Sequence, residues 1–376
     1  MSRIWTCWKS LVGPQRYAGR VTLRIGVWGP GHVGRAVIRA LQEDPRFDLE
    51  IVKARRDKQR SFSDVAITTS KDEVISLGLD CVVVTPSAAA VFKGLDDDVI
   101  DLLESGTNVV ATAAYHNPWM QNWASGGRAS ARRLLEACKA GAATLHGTGV
   151  HPSYMVERLV LTMCQPLDSV SHIRFVEAAN FQGAPGDMWG GLGAMGFGVD
   201  IDEIGPQHPV AAGGDLYYGD VIGNVARELF DADPAEVRVE RSYRGIPAEQ
   251  DVVIGNETIR RGTAGAVHLV HRGYLGDHHF FTNEECWYLR DAVTFRGDDL
   301  PFGGFTTSAS YTIEITGEPA NLRSQLEFQP TLKGRDAITN GSVRAVLAAI
   351  PAVCAAEPGI LVDDSAPSYR LISADD

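Results

Sequence analysis

Gly29-Pro30-Gly31-His32-Val33-Gly34 is the stretch of this chain whose residue types and spacing point most directly to chemistry. It matches G-x-G-x-x-G. The first glycine permits a tight turn, the second leaves room for a diphosphate against the backbone, and the third lets a helix pack close to a strand. In a chain with 39 glycines the pattern alone is weak. Its setting makes it informative: Val21 to Trp28 (VTLRIGVW) reads as a strand, and His32 to Leu41 places Val33, Val37, Ile38 and Leu41 on one helical face. The unpaired N–H groups at such a helix start attract phosphate. About 20 residues further on, an acid would hold the ribose 2′-hydroxyl of NAD. The chain instead offers Lys53-Ala54-Arg55-Arg56. Arg55 and Arg56 suit a 2′-phosphate, so NADP is the expected cofactor, with NAD as the alternative.

Ligands of an open α/β sheet bind beyond the carboxyl ends of its strands. Three further ends are legible: Thr85-Pro86-Ser87, Thr112 to Pro118 (TAAYHNP) and Gly147 to Pro152 (GTGVHP). Thr85, Pro86, Thr112 and Gly149 are therefore expected against the nucleotide. Tyr115, His116 and His151 are the polar side chains expected nearest the reacting carbon. Glu177 closes a strand-like segment before a glycine-rich run that follows Asn180 and contains Gln182 and Asp187; a carboxylate there could hold an ammonium group. Each of these has a plainer reading. His116 before Asn117-Pro118 fits a turn, His151 fits a cap for a helix beginning near Ser153, and Glu177 fits a solvated acid. His278-His279 fails as a metal site, because neighbours on a strand point to opposite faces and no third ligand lies at useful spacing.

The elements that would position these residues alternate in the first half. Strands are expected at Val21–Trp28, Asp48–Ala54, Asp80–Thr85, Asn108–Thr112 and Ala142–His146, with helices at His32–Leu41, Asp96–Glu104 and Arg128–Ala140. That alternation implies a doubly wound parallel sheet, the Rossmann fold class. After Gly149 the texture changes. Ser171–Ala178 is strand-like, Gln182–Gly198 carries seven glycines, and residues 237–243, 251–260, 264–275, 285–295 and 307–316 alternate as strands. A second, α+β domain on a mainly antiparallel sheet follows. Gly341–Ala356 has helical spacing at Val343, Val346, Leu347 and Ile350, with Pro351 expected to kink it. The expected divisions are an extension over 1–20, a dinucleotide-binding domain over 21–150, a substrate and dimerisation domain over 151–335, and a helix over 336–376 returning to the first domain.

Composition narrows the partners. With 376 residues, 44% hydrophobic and 22% charged, the chain is globular and long enough for two cores. A formal charge of −12 counts against nucleic acid and anionic membranes as partners, since both reward a basic surface. No run reaches the roughly 20 apolar residues of a membrane span. Residues 1–20 lack the apolar core and cleavage site of a signal peptide. The six cysteines are scattered without a Cys-x-x-Cys pair and read mostly as small core hydrophobes, which fits a reducing cytoplasm.

Four segments together carry a family resemblance: GVWGPGHVGRAVIRAL, VVVTPS, GTGVHPSYMVERL at 147–159 and AVLAAIPAVCAAEPGIL at 345–361. They resemble 2,4-diaminopentanoate dehydrogenases and native amine dehydrogenases, and in the nucleotide domain dihydrodipicolinate reductase. The resemblance implies a homodimer, a nicotinamide cofactor, and hydride transfer to or from an amine, imine or carbonyl carbon of a small molecule. It also implies a glutamate a few residues before Pro118, where this chain has Ala113 and Ala114, and an Asn-Pro turn where it has His151-Pro152. The pocket thus loses an acid and gains an imidazole, and Tyr115, His116 or His151 is left to do the proton work. Reduction of a cyclic C=N or C=C bond, and a non-catalytic NADP-binding sensor or scaffold, are the alternatives.

Overall fold

The computed structural model describes residues 22–55, 65–86, 94–112, 115–116, 128–182, 192–214, 218–294, 309–329 and 336–362. Arg56, Ala113, Ala114, Asp187 and the extension over 1–20 lie outside them.

Seven parallel strands form the first sheet: β1 Leu23–Trp28, β2 Phe47–Lys53, β3 Ala66–Thr68, β4 Cys81–Val84, β5 Asn108–Ala111, β6 Thr144–Gly147 and β15 Gly359–Leu361. Their spatial order is β15-β6-β5-β4-β1-β2-β3. The order reverses between β1 and β4, so the loops leaving these two strands diverge and open a crevice at the carboxyl edge. The strands are apolar on both sides because both sides are covered. Helix α1 (His32–Glu43) covers one face, and α3 (Leu95–Glu104) and α4 (Arg128–Gly141) cover the other; the short α2 (Lys71–Ser76) precedes β4. This is the doubly wound fold the alternation of elements implies.

Six strands form the second sheet, β7 (Ser169–Asn180), β8 (Val237–Pro247), β11 (Ala264–Leu275), β12 (His278–Tyr288), β13 (Ala309–Glu318) and β14 (Leu322–Phe328), in the order β14-β13-β7-β12-β11-β8. All neighbours run antiparallel except β7 and β12, which are parallel. Residues 251–260 form not one strand but a hairpin, β9 (Val252–Ile254) and β10 (Glu257–Ile259), turning at Gly255 with φ +60°. The strand expected at 285–295 begins instead at His278 and ends at Tyr288. Thr282-Asn283-Glu284-Glu285 is a polar run, yet all four are buried in its middle. The inner face packs against α5 (Val150–Val160, continuing through Leu161–Cys164), α6 (Pro209–Gly214) and α7 (Asp220–Phe230) in the largest core.

Helix α8 (Ala337–Ala355) starts a turn earlier than expected, because the Asp336 carboxylate accepts from the N–H groups of Ile338 and Thr339 and caps it. It runs through Pro351 to Ala355. By length and composition it could cross a membrane, nearer to that limit than the sequence alone suggests. Here Val343, Val346, Leu347, Ile350 and Val353 bury it against the parallel sheet beside α1.

Candidate functional site

The glycine loop has the form a diphosphate needs. Gly29 sits at φ +103°, and its N–H donates to the Lys53 carbonyl at 2.9 Å. A Cβ there would lie 2.6 Å from the Thr85 carbonyl oxygen. A Cβ on Gly34 would meet the Gly29 oxygen at 2.1 Å and Thr85 Oγ1 at 2.7 Å. Around a Cβ on Gly31 there is nothing within 4 Å. The loop is therefore closed toward the sheet at Gly29 and Gly34 and open outward at Gly31. No side chain caps α1, and no acid lies in its first turn. A dinucleotide diphosphate fits this cradle of Gly29, Gly31, His32, Val33 and Gly34. Thr85 braces it by donating its hydroxyl to the Gly29 carbonyl. The His32 ring turns to α8, with Nε2 3.2 Å from Thr339 Oγ1. Pro86 and Thr112 are part-buried at the same edge. At the end of β2, Lys53 lays its ammonium 3.9 Å from the centre of the Trp28 ring, while Arg55 is exposed.

The second half of the site begins at Gly149, whose neighbour Val150 donates its N–H to Ser342 Oγ at 3.3 Å. His151 then keeps an extended backbone (φ −127°, ψ 131°) before the helix is established. Its ring leaves the parallel sheet's edge and enters the inner face of the second sheet. It stacks on Phe175 at 5.0 Å and 10°, with Tyr218 at 5.5 Å and Tyr311 at 5.8 Å. His151 Nε2 lies 2.9 Å from Glu285 Oε1, so one proton is held between imidazole and carboxyl.

Strand register explains what surrounds it. Glu177 on β7 stands opposite Glu285 on the parallel β12, and Tyr311 on β13 stands opposite Glu177. The donor atoms of His151, Glu177 and Glu285 all lie within 4.8 Å of one another. Trp287 Nε1 donates to Glu177 Oε1 at 3.1 Å, and Asn283 Nδ2 donates to Glu285 Oε1 at 2.8 Å. Among the described residues, no lysine or arginine pairs with either carboxylate. Removal from water therefore dominates their ionisation. Burial, with the Glu285 charge beside it, raises Glu177 to about 7. Burial raises Glu285 to about 8. Burial lowers His151. Glu177 and His151 retain some solvent exposure, whereas Glu285 has none. The arrangement is two carboxyls near their titration point at neutral pH, one of them bonded to an imidazole, and walled by aromatic rings. It can hold a cation and move protons.

Of the four candidate catalytic side chains Tyr115, His116, His151 and Glu177, the structure brings together His151 and Glu177. Tyr115 lies elsewhere: its hydroxyl donates to Asp96 Oδ1 at 2.6 Å, Ser130 donates to the other oxygen of that carboxylate, and the ring belongs to the core between the parallel sheet, α3 and α4. His116 is buried after the same loop. Asn180 and Gln182 accept from backbone N–H groups of the chain after β12, from Arg290 and Asp291 respectively, and so tie two segments together. Sequence reasoning missed Glu285, Trp287, Asn283, Tyr218 and Tyr311. The available signal was the two-residue spacing of Asn283, Glu285 and Trp287, which places them on one face of a strand.

No protein-family model and no curated protein sequence matches the chain. Solved structures do match its fold. An amine dehydrogenase from Mycobacterium smegmatis is similar with a TM-score of 0.66 at 18% identity, covering 93% of this chain and 97% of that one. A biliverdin reductase from Synechocystis sp. PCC 6803, in complex with biliverdin and NADP+, gives 0.47 at 12% identity, covering 88% and 91%. A dipicolinate-bound dihydrodipicolinate reductase from Paenisporosarcina sp. TG-14 gives 0.48 at 9% identity, covering 91% and 97%. The chain thus shares the two-sheet architecture of the Mycobacterium smegmatis enzyme over nearly its whole length.

Proposed function

We propose that the protein is an NAD(P)-dependent oxidoreductase acting on a small molecule, with hydride transfer at a carbon that bears nitrogen: an amine, or the imine formed from a carbonyl compound and ammonia. The observation that carries this reading is His151. It stands just past Gly149 at the carboxyl edge of a parallel sheet with a diphosphate cradle, and it meets Glu177 and Glu285 from the second sheet. The fold shared with an amine dehydrogenase supports the substrate class.

Gly29, Gly31, His32, Val33 and Gly34 would hold the diphosphate, with Thr85, Pro86, Thr112 and Gly149 along the same edge. Arg55 and Arg56 favour NADP over NAD. A nicotinamide bound there supplies a hydride acceptor or donor. The protein's own groups do the rest. Glu177 and Glu285, which among the described residues pair with no lysine or arginine, suit an ammonium substituent. Glu177, near 7 through burial, takes the ammonium proton as the amine is oxidised. His151 with Glu285 takes a proton from the water that hydrolyses the resulting iminium to a carbonyl compound and ammonia. In the reverse direction the same groups return these protons. Phe175, Tyr218 and Tyr311 keep the imidazole in place and limit water around it.

Fluorescence titration with NADPH and NADH, followed by a turnover screen of amines and of ketones with ammonia, tests the reading. His151→Ala and Glu177→Gln are expected to lower kcat/KM about 100-fold or more, as acid–base groups do, with nucleotide binding unchanged. Failure to bind either nucleotide would remove the redox reading; turnover of alcohols but no amine would remove the nitrogen substrate. Arg55→Ala is expected to weaken NADPH about tenfold more than NADH, since it removes a charge-assisted contact only the 2′-phosphate can make. The homodimer belongs to the same proposal, and sedimentation equilibrium tests it.

A further inference from the structure

Cys81 opens β4 on the face covered by α8, and Cys354 lies in the last turn of that helix. The Cys354 thiol donates to the carbonyl oxygen of Asp80 at 3.6 Å. Its neighbour there is the thiol of Cys81, the next residue along, against whose core cluster Cys354 packs. Cys81 is fully buried, while Cys354 is the one described cysteine with partial exposure. Two thiols in contact, one reachable from solvent, form a pair in which oxidation of the first is resolved by the second.

We propose that Cys81 and Cys354 are a cross-linking site for peroxide, forming an intramolecular disulfide that ties the end of α8 to the parallel sheet. The Cys354 sulfur attacks hydrogen peroxide and breaks its O–O bond, giving a sulfenic acid and one water. The Cys81 sulfur attacks the oxidised sulfur, forms the S–S bond and releases the second water. Two thiol hydrogens and two electrons leave the protein, and one peroxide becomes two waters. Contact with Cys354 and burial push the Cys81 thiol up, so the exposed Cys354 is the sulfur that meets peroxide first.

The position gives the bond a consequence. At its other end α8 touches both halves of the candidate site, through Thr339 to His32 of the glycine loop and through Ser342 to Val150 beside His151. Fixing one end of the helix stiffens the support of both loops and closes a long chain loop, which stabilises the fold.

The test uses the full chain treated with a small excess of hydrogen peroxide, then alkylated in denaturant, digested and analysed by mass spectrometry, with melting measured in parallel. The expected result is one linked peptide pair joining Cys81 to Cys354, cleaved by dithiothreitol, and a rise in Tm of about 5 °C. Cys354→Ser is expected to lose both. Full alkylation of both thiols after peroxide would overturn the proposal, as would Cys354 driven to sulfinic acid beside an alkylatable Cys81. A Tm rise that persists in Cys354→Ser would place the bond elsewhere and also overturn it.

Discussion

Glu285→Gln distinguishes a buried carboxyl that must lose its proton from one that is only hydrogen-bonded. Glu285 is fully buried, and burial raises it from the ordinary 4.5 to about 8. The folded chain therefore holds this proton more tightly than the unfolded chain does. Stability falls as pH rises from 4.5 to about 8, and levels off above that. At about 1.4 kcal/mol for each pH unit, the gap amounts to about 5 kcal/mol. Glu177 titrates as part of the same pair, so the protons and the cost are divided, leaving about 2–3 kcal/mol to Glu285 itself. Glutamine keeps the shape, can still accept from Asn283, and does not titrate. Calorimetric melting of both proteins across the range is the assay. The variant is expected to equal or fall slightly below wild type near about pH 5, where the carboxyl is neutral in the folded chain, and to melt about 5 °C higher near about pH 9. Parallel Tm curves with the variant lower throughout would refute the reasoning, because Glu285 would then bind its proton equally in the folded and unfolded chains.

Two further substitutions probe the nucleotide half. Gly34→Ala forces a Cβ to within 2.1 Å of the Gly29 carbonyl oxygen, so the loop must move. NADPH binding is expected to weaken about 100-fold in a fluorescence titration, and an unchanged Kd with unchanged Tm would mean that the cradle is not where the nucleotide binds. Tyr115→Phe removes the donor to Asp96. It is expected to cost about 1–2 kcal/mol in a denaturation experiment and to leave turnover alone; a large rate loss at unchanged stability would return Tyr115 to the reacting carbon.

The parallel half was legible because local signals there agree with each other. Apolar strands at Leu23–Trp28, Cys81–Val84 and Asn108–Ala111 are covered on both faces, and Gly29 and Gly34 stand where no side chain fits. The second sheet obscures itself for a physical reason. Its central strand β12 buries Glu284 on one face, where Arg174 and His268 hold it, and Glu285 on the other, where His151 meets it. A pattern that equates burial with apolar residues starts the strand at 285 and leaves Thr282 to Glu284 outside it. Tyr115 shows the opposite case. Its place after β5 suggested a pocket residue, but a left-handed backbone at φ 65° turns the ring into the core toward Asp96. His151 was nameable from its turn, whereas its partner lies 134 residues away and is set by register alone.

Ala113 and Ala114 stand where the resembling family places its glutamate, and on the proposed reading the acid has a counterpart on the other sheet. A carboxylate from the loop after β5 and one from β7 or β12 approach the reacting carbon from different elements, but both must solve the same problem of a cation and a mobile proton away from bulk water. In this chain His151 is the link, reaching from the end of β6 to Glu285. If imidazole and carboxyl share one proton, they act as a unit, and their losses do not add. His151→Gln and Glu285→Gln are each expected to lower kcat/KM about 100-fold, and the double variant by about 100- to 1,000-fold rather than the roughly 10⁴-fold of independent groups. Full additivity in that cycle, measured with nucleotide saturating, would show that the 2.9 Å contact carries no shared proton. The two carboxyls would then have to be assigned separate roles, with Glu177 alone facing the substrate.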